Sequence, residues 1–108
     1  MFQNIDAAEL LALREQQNIT LIDVRTDAEV ARGIIAGARH IPLFTLPQHA
    51  QSLADVGTIV IYCQSGGRSA QACSYLAQQG FADLCNLSGG ILGWLRDGNT
   101  LSDGPANS

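Results

Sequence analysis

The apolar positions of the chain fall into short β-branched runs separated by segments with helical spacing. Ile19-Thr20-Leu21-Ile22 and Ile59-Val60-Ile61-Tyr62 read as buried strands, since each is a short run of mostly β-branched, mostly apolar residues. Gln3–Ile5, Ala38–Ile41 and Leu84–Leu87 read as shorter strands, the first at a sheet edge. Between them lie helical segments. Asp6 with Glu9, and Thr26 with Glu29, have the three-residue spacing of a capping box, so helices start at both places. The first runs to about Gln16 with Leu10, Leu11 and Leu13 on its apolar face, and the second stops at Gly33. Pro47 suits the first turn of a helix over Thr45–Leu53. Ser69 opens a helix that ends at Gly80, and Ile91–Arg96 forms a last one carrying Trp94. Strands alternating with helices predict an α/β fold with a mainly parallel sheet. Residues 1–97 read as one domain, and 98–108, GNTLSDGPANS, as a flexible polar tail.

One stretch does not serve packing alone. Cys63 ends the strand Ile59–Tyr62, and Gln64-Ser65-Gly66-Gly67-Arg68 leads from it to Ser69 and the next helix. Ligands of parallel α/β sheets bind beyond the carboxyl ends of the strands. Two adjacent glycines let successive N–H groups turn inward into an anion-binding nest, and the helix start adds unpaired N–H groups and the positive end of its dipole. Such surroundings lower a thiol pKa and make a nucleophile. Cys63 is therefore the candidate catalytic residue, and Gln64, Ser65, Gly66, Gly67, Arg68 and Ser69 the candidate substrate-binding loop. Ser65 and Ser69 are hydroxyl donors for the sulfur. Arg68 is the cation of the loop and faces an anionic substrate group.

Composition narrows the chemistry. The chain has 108 residues, 46% hydrophobic, with a net charge of −4. That is enough for one core without disulfides. No basic run points to nucleic acid, and no apolar stretch reaches the length of a membrane span. The N-terminal segment lacks the features of a signal peptide, so the expected location is the cytoplasm. Three cysteines are an odd count with no short metal-like pairing, which favours a reducing compartment and one working thiol. Cys73 lies at helical spacing with Ala70, Leu76 and Ala77 and reads as a core thiol, while the face of Cys85 is open. Asp23 and Arg25, at a strand end, read as a loop-locking ion pair, and His40 and His49 as structural.

Four segments in this order resemble a single-domain rhodanese. They are Leu21-Ile22-Asp23-Val24-Arg25 with Glu29, Gly33 to Pro42, Cys63 to Ser69, and Gly89-Gly90-Ile91-Leu92-Gly93-Trp94. The resemblance implies a five-stranded, mainly parallel sheet flanked by helices. It also implies a sulfurtransferase that moves sulfane sulfur from thiosulfate or a persulfide donor, through a Cys63 persulfide, to cyanide or a thiol. That thiol belongs to a small molecule or a small sulfur-carrier protein, and no cofactor or metal is implied. The chain departs from the family pattern at Ile34, often His, at His40, often Asn, and at Gln64, where thiosulfate-using members often carry a basic residue. Two other readings stay open: a phosphatase or arsenate reductase on the same fold, whose phosphate cradle usually has one more residue between Cys and Arg, and a protein-binding module.

Overall fold

The computed structural model describes residues 1–103. Over these, five strands form one parallel sheet in the order β1-β5-β4-β2-β3: β1 Gln3–Ile5, β2 Thr20–Asp23, β3 Arg39–His40, β4 Ile59–Tyr62 and β5 Leu84–Leu87. The central strand β4 is buried along its whole length, as its unbroken apolar run requires. Alternate residues divide the core. Val60 and Tyr62 join Leu10, Leu21, Leu87, Ile91 and Trp94 on one face. Ile59, Ile61 and Cys63 join Ala72, Cys73 and Leu76 on the other. The two-residue period thus carries Cys63 onto the face covered by the helix that follows it.

The helices are α1 Ala7–Gln16, α2 Asp27–Val30, α3 Leu46–His49, α4 Gly67–Gln78 and α5 Gly90–Arg96. Both capping boxes form: Asp6 accepts from the Glu9 N–H and Thr26 from the Glu29 N–H, with each glutamate returning to the cap backbone. Helix α4 buries Ser69, Ala72, Cys73 and Leu76, one stripe at i, i+3, i+4 and i+7. No helix of the described residues is long and apolar enough to cross a membrane.

Two expectations need adjustment. The helix expected over Thr45–Leu53 is broken into 3-10 turns at Leu43–Thr45 and Gln51–Leu53 on either side of α3. Thr45 Oγ1 bonds the Pro42 carbonyl and Ser52 Oγ the His49 carbonyl, both at 2.8 Å, and such local bonds compete with a continuous helical ladder. The tail expected from Gly98 does not fray at once. Trp94 Nε1 donates to the Thr100 carbonyl at 2.8 Å, Leu101 packs on the core, and Ser102 exchanges both backbone bonds with Ile34 at 2.7 and 2.8 Å. A buried indole N–H needs an acceptor, and the tail supplies it. Residues 104–108 of the expected tail lie outside the described residues.

Candidate active site

Cys63 follows the last residue of β4 and is only 1% exposed. The chain then turns through Gly66, at φ +107°, into α4. This turn aims three donors at the sulfur. The Gly66 N–H lies 3.1 Å from Sγ, and the Ser69 N–H and Ser69 Oγ each lie 3.4 Å away. Burial pushes the thiol pKa up. Hydrogen bonds from the Ser69 hydroxyl and from the Ser69, Gly66 and Ser65 N–H groups outweigh it, and the net shift is downward. The other two thiols go the opposite way. Burial pushes Cys73 up to about 12, and burial with the Asp83 and Glu9 charges raises Cys85. Both are free; Cys73 Sγ sits 3.6 Å from the Cys85 carbonyl. Cys63 is thus the one described cysteine whose surroundings shift its pKa downward.

The loop is strapped to the segment after β5. The Cys63 carbonyl accepts the Ile91 N–H at 3.0 Å and the Gln64 carbonyl the Leu92 N–H at 3.1 Å. Approach this close requires glycine on both sides. A Cβ on Gly66 would overlap the Ser88 carbonyl, and one on Gly90, at φ +60°, would overlap the Gln64 carbonyl and come within 2.7 Å of the Ser65 nitrogen. Gln64, Ser65 and Gly67 are exposed around the buried sulfur.

Arg68 differs from the sequence expectation of a cation facing a donor. Its Nη1 and Nη2 bond the two Glu29 carboxylate oxygens at 2.7 and 2.8 Å. The same Glu29 accepts from the Thr26 N–H and hydroxyl, and its pKa falls to about 2, first because of Arg68. Sequence reading found Glu29 as a capping residue; no local signal announces a contact 39 positions away. Asp23 and Arg25 do form the expected pair. Arg25 Nε and Nη2 bond Asp23 at 2.8–3.0 Å, both residues are buried, and Nη2 also reaches the Gly33 carbonyl. His40 Nε2 lies 2.8 Å from the Arg25 carbonyl, and its Nδ1 3.8 Å from an Asp27 carboxylate oxygen.

Asn86, absent from the sequence-based candidates, completes the site from β5. Its Oδ1 lies 2.5 Å from Ser69 Oγ, and its Nδ2 bonds the Gly66 carbonyl at 3.3 Å and Asn4 Oδ1 at 3.1 Å. The signal was a single amide inside the apolar strand Leu84-Cys85-Asn86-Leu87. Among the described residues, no three His, Cys, Asp or Glu side chains gather as a metal-binding group.

Comparison with known proteins agrees with this architecture. A family model for the rhodanese-like domain matches residues 6–97. A sulfurtransferase of Allochromatium vinosum is 41% identical over 99 residues, covering 91% of this chain and 92% of the relative. The thiosulfate sulfurtransferase GlpE of Pseudomonas putida is 33% identical over 94 residues, covering 86% of this chain and 84% of the relative. The crystal structure of a rhodanese-related protein from Thermoplasma volcanium superposes with a TM-score of 0.84 at 30% identity, covering 94% of this chain and 98% of that one.

Proposed function

The chain belongs to the rhodanese-like family of sulfurtransferases, and from that premise we propose that it carries sulfane sulfur on Cys63 as a persulfide. The Cys63 thiolate attacks the outer sulfur of the donor. The donor's S–S bond breaks and its electron pair leaves with sulfite, when thiosulfate is the donor, or with a thiolate, when the donor is a persulfide. A thiolate or cyanide then attacks the outer sulfur of Cys63. The second S–S bond breaks, the product is a new persulfide or thiocyanate, and Cys63 returns as thiolate. Each step exchanges one S–S bond for another bond to sulfur, so no external oxidant or reductant enters.

One observation carries the reading: three donors converge on Cys63 Sγ within 3.4 Å at the start of α4. They stabilise negative charge on the sulfur when it attacks and when it leaves. The exposed residues Gln64, Ser65 and Gly67 border the path of the incoming donor, while Gly66 and Ser69 hold the sulfur. Phosphate-ester or arsenate chemistry finds less support, because Arg68 is taken up by Glu29 and the strand-end carboxylate of Asp23 by Arg25.

Intact-protein mass spectrometry after incubation with thiosulfate, glutathione persulfide or a protein persulfide tests the proposal. The expected result is a gain of one sulfur on Cys63, removed by cyanide or a thiol and absent in Cys63→Ser. A folded Cys63→Ser protein that still turns over would overturn it, and the donor that loads Cys63 fastest names the donor class.

A further inference from the structure

Ser69 has one hydroxyl proton and two acceptors. Its Oγ lies 3.4 Å from Cys63 Sγ and 2.5 Å from Asn86 Oδ1. The orientation of Asn86 is not arbitrary. Nδ2 faces the Gly66 carbonyl, which can only accept, so the other end of the amide, facing Ser69, is the oxygen. Asn86 is only 3% exposed, and its amide is satisfied entirely by Ser69, Gly66 and Asn4.

We propose that Asn86 is a positioning residue that holds the Ser69 hydroxyl proton while the Cys63 sulfur is neutral and yields it to that sulfur when it becomes a thiolate. In the neutral state Ser69 donates to Asn86 and leaves its lone pair for the S–H. When the thiol ionises, the hydroxyl rotates to the sulfur and the Ser69–Asn86 bond opens. The proton stays on Ser69 throughout; only the hydrogen bond changes hands. Under the persulfide reading above, on which its catalytic use rests, the same rotation occurs in each half-reaction. The inner sulfur of the persulfide is neutral, so the hydroxyl returns to Asn86. When the acceptor takes the outer sulfur, the bonding pair falls on Cys63 and the hydroxyl swings back to stabilise it. The Ser69–Asn86 bond exists only beside the neutral sulfur, so Asn86 steadies the loaded persulfide, while the rotated hydroxyl steadies the leaving thiolate.

The consequence has a sign opposite to that of a prop. If Asn86 only braces Gly66 and the loop, removing it weakens the donors and raises the alkylation midpoint of Cys63. If it competes for the hydroxyl, Asn86→Val relieves that competition and lowers the midpoint, by about half to one pH unit, the scale of one net hydrogen bond. Ser69→Ala should raise the midpoint, and adding Asn86→Val to it should then change nothing further. Arg68, which couples electrostatically to Cys63 and Asp23, its partner Glu29, and the Asp23–Arg25 pair are untouched by these variants. Alkylation needs no sulfur donor, so it reads the hydroxyl switch whether or not the persulfide proposal holds.

The decisive measurement is the pH profile of iodoacetamide alkylation in the wild type, Asn86→Val, Ser69→Ala and the double variant. A midpoint that rises in Asn86→Val, or shifts equally with and without Ser69, overturns the inference. A second readout uses the wild type alone, in case Asn86→Val fails to fold. The side-chain carbonyl carbon resonance of Asn86 should move upfield through the Cys63 titration as its hydrogen bond is released; a static resonance across that range also overturns it.

Discussion

Arg68 closes both of its terminal nitrogens on the Glu29 carboxylate, at 2.7 and 2.8 Å, beside the loop that surrounds Cys63. The cation of the loop is thus neutralised by a residue of helix α2. Under the proposed sulfur transfer, this pairing predicts that Glu29 tunes which donor charge the mouth accepts, and it changes what substitutions at Arg68 should do.

Removing either partner changes the charge at the mouth by one unit, in opposite senses. Glu29→Gln leaves Arg68 free and should raise kcat/KM for thiosulfate, while Arg68→Ala leaves Glu29 bare and should lower it. The pair is partly exposed, so each change should be roughly threefold to tenfold. The double variant should return near the wild-type value. A neutral trisulfide should respond to none of them. Glutamine keeps the capping-box contact with Thr26, so Glu29→Gln should not cost the start of α2. Equal losses with both donors would mean that the pair only shapes the loop.

The same carboxylate should leave a mark on stability. Glu29 titrates at about 2 in the fold, below its ordinary value of 4.5, because of Arg68. A depressed carboxylate contributes stability that is complete above its unfolded pKa and disappears as pH falls through the folded one. The stability difference between wild type and Glu29→Gln should therefore be constant at neutral pH and shrink between about pH 4.5 and 2. Urea titrations at pH 7, 4 and 2.5 measure it, and a gap that widens toward acid would contradict the assignment.

The thiols should separate by reactivity. Donors around Cys63 lower its pKa despite burial, whereas burial raises Cys73 and Cys85. Alkylation of the folded protein at pH 7.5 should modify Cys63 first, with a midpoint below the free-thiol value of about 8.5. Peptide mapping after partial reaction gives the order. Cys73→Ala and Cys85→Ala should keep sulfur transfer apart from losses of stability, and loss of turnover in a folded Cys85→Ala protein would call for a second working thiol.

What sequence reading reached, and what it missed, follows the range of the interactions. The β4 run, both capping boxes and the Cys63 loop are set within a few residues, so apolar period and cap chemistry disclose them. The strand-end position of Cys63 follows from them. The Glu29–Arg68, Ser69–Asn86 and Ile34–Ser102 contacts join residues 39, 17 and 68 positions apart. A capping glutamate looks the same in sequence whether or not its other face holds an arginine. Likewise, Thr100 and Leu101 sit among small polar residues, and only the position of Trp94 reveals that one caps the indole N–H and the other packs on the core.

Gly90 tests whether the wall behind the loop governs the thiol. Its φ of +60° lies where asparagine is tolerated far better than alanine, so Gly90→Ala carries a backbone cost of about 1–2 kcal/mol that Gly90→Asn largely avoids. Both variants, however, place a Cβ against the Gln64 carbonyl and the Ser65 nitrogen, and neither of those backbone atoms can swing aside as a side-chain end would. If the close approach matters, both should displace Gln64 and Ser65, raise the alkylation midpoint of Cys63 and cut sulfur transfer. Gly98 supplies the control. It has φ +89° and no atom within 4 Å of a built Cβ, so Gly98→Ala adds backbone strain without intrusion and should leave the Cys63 midpoint where it was. Should Gly90→Asn retain full activity while Gly90→Ala loses it, strain alone would account for the glycine, and the packing of the loop on α5 would have no part in setting the reactivity of Cys63.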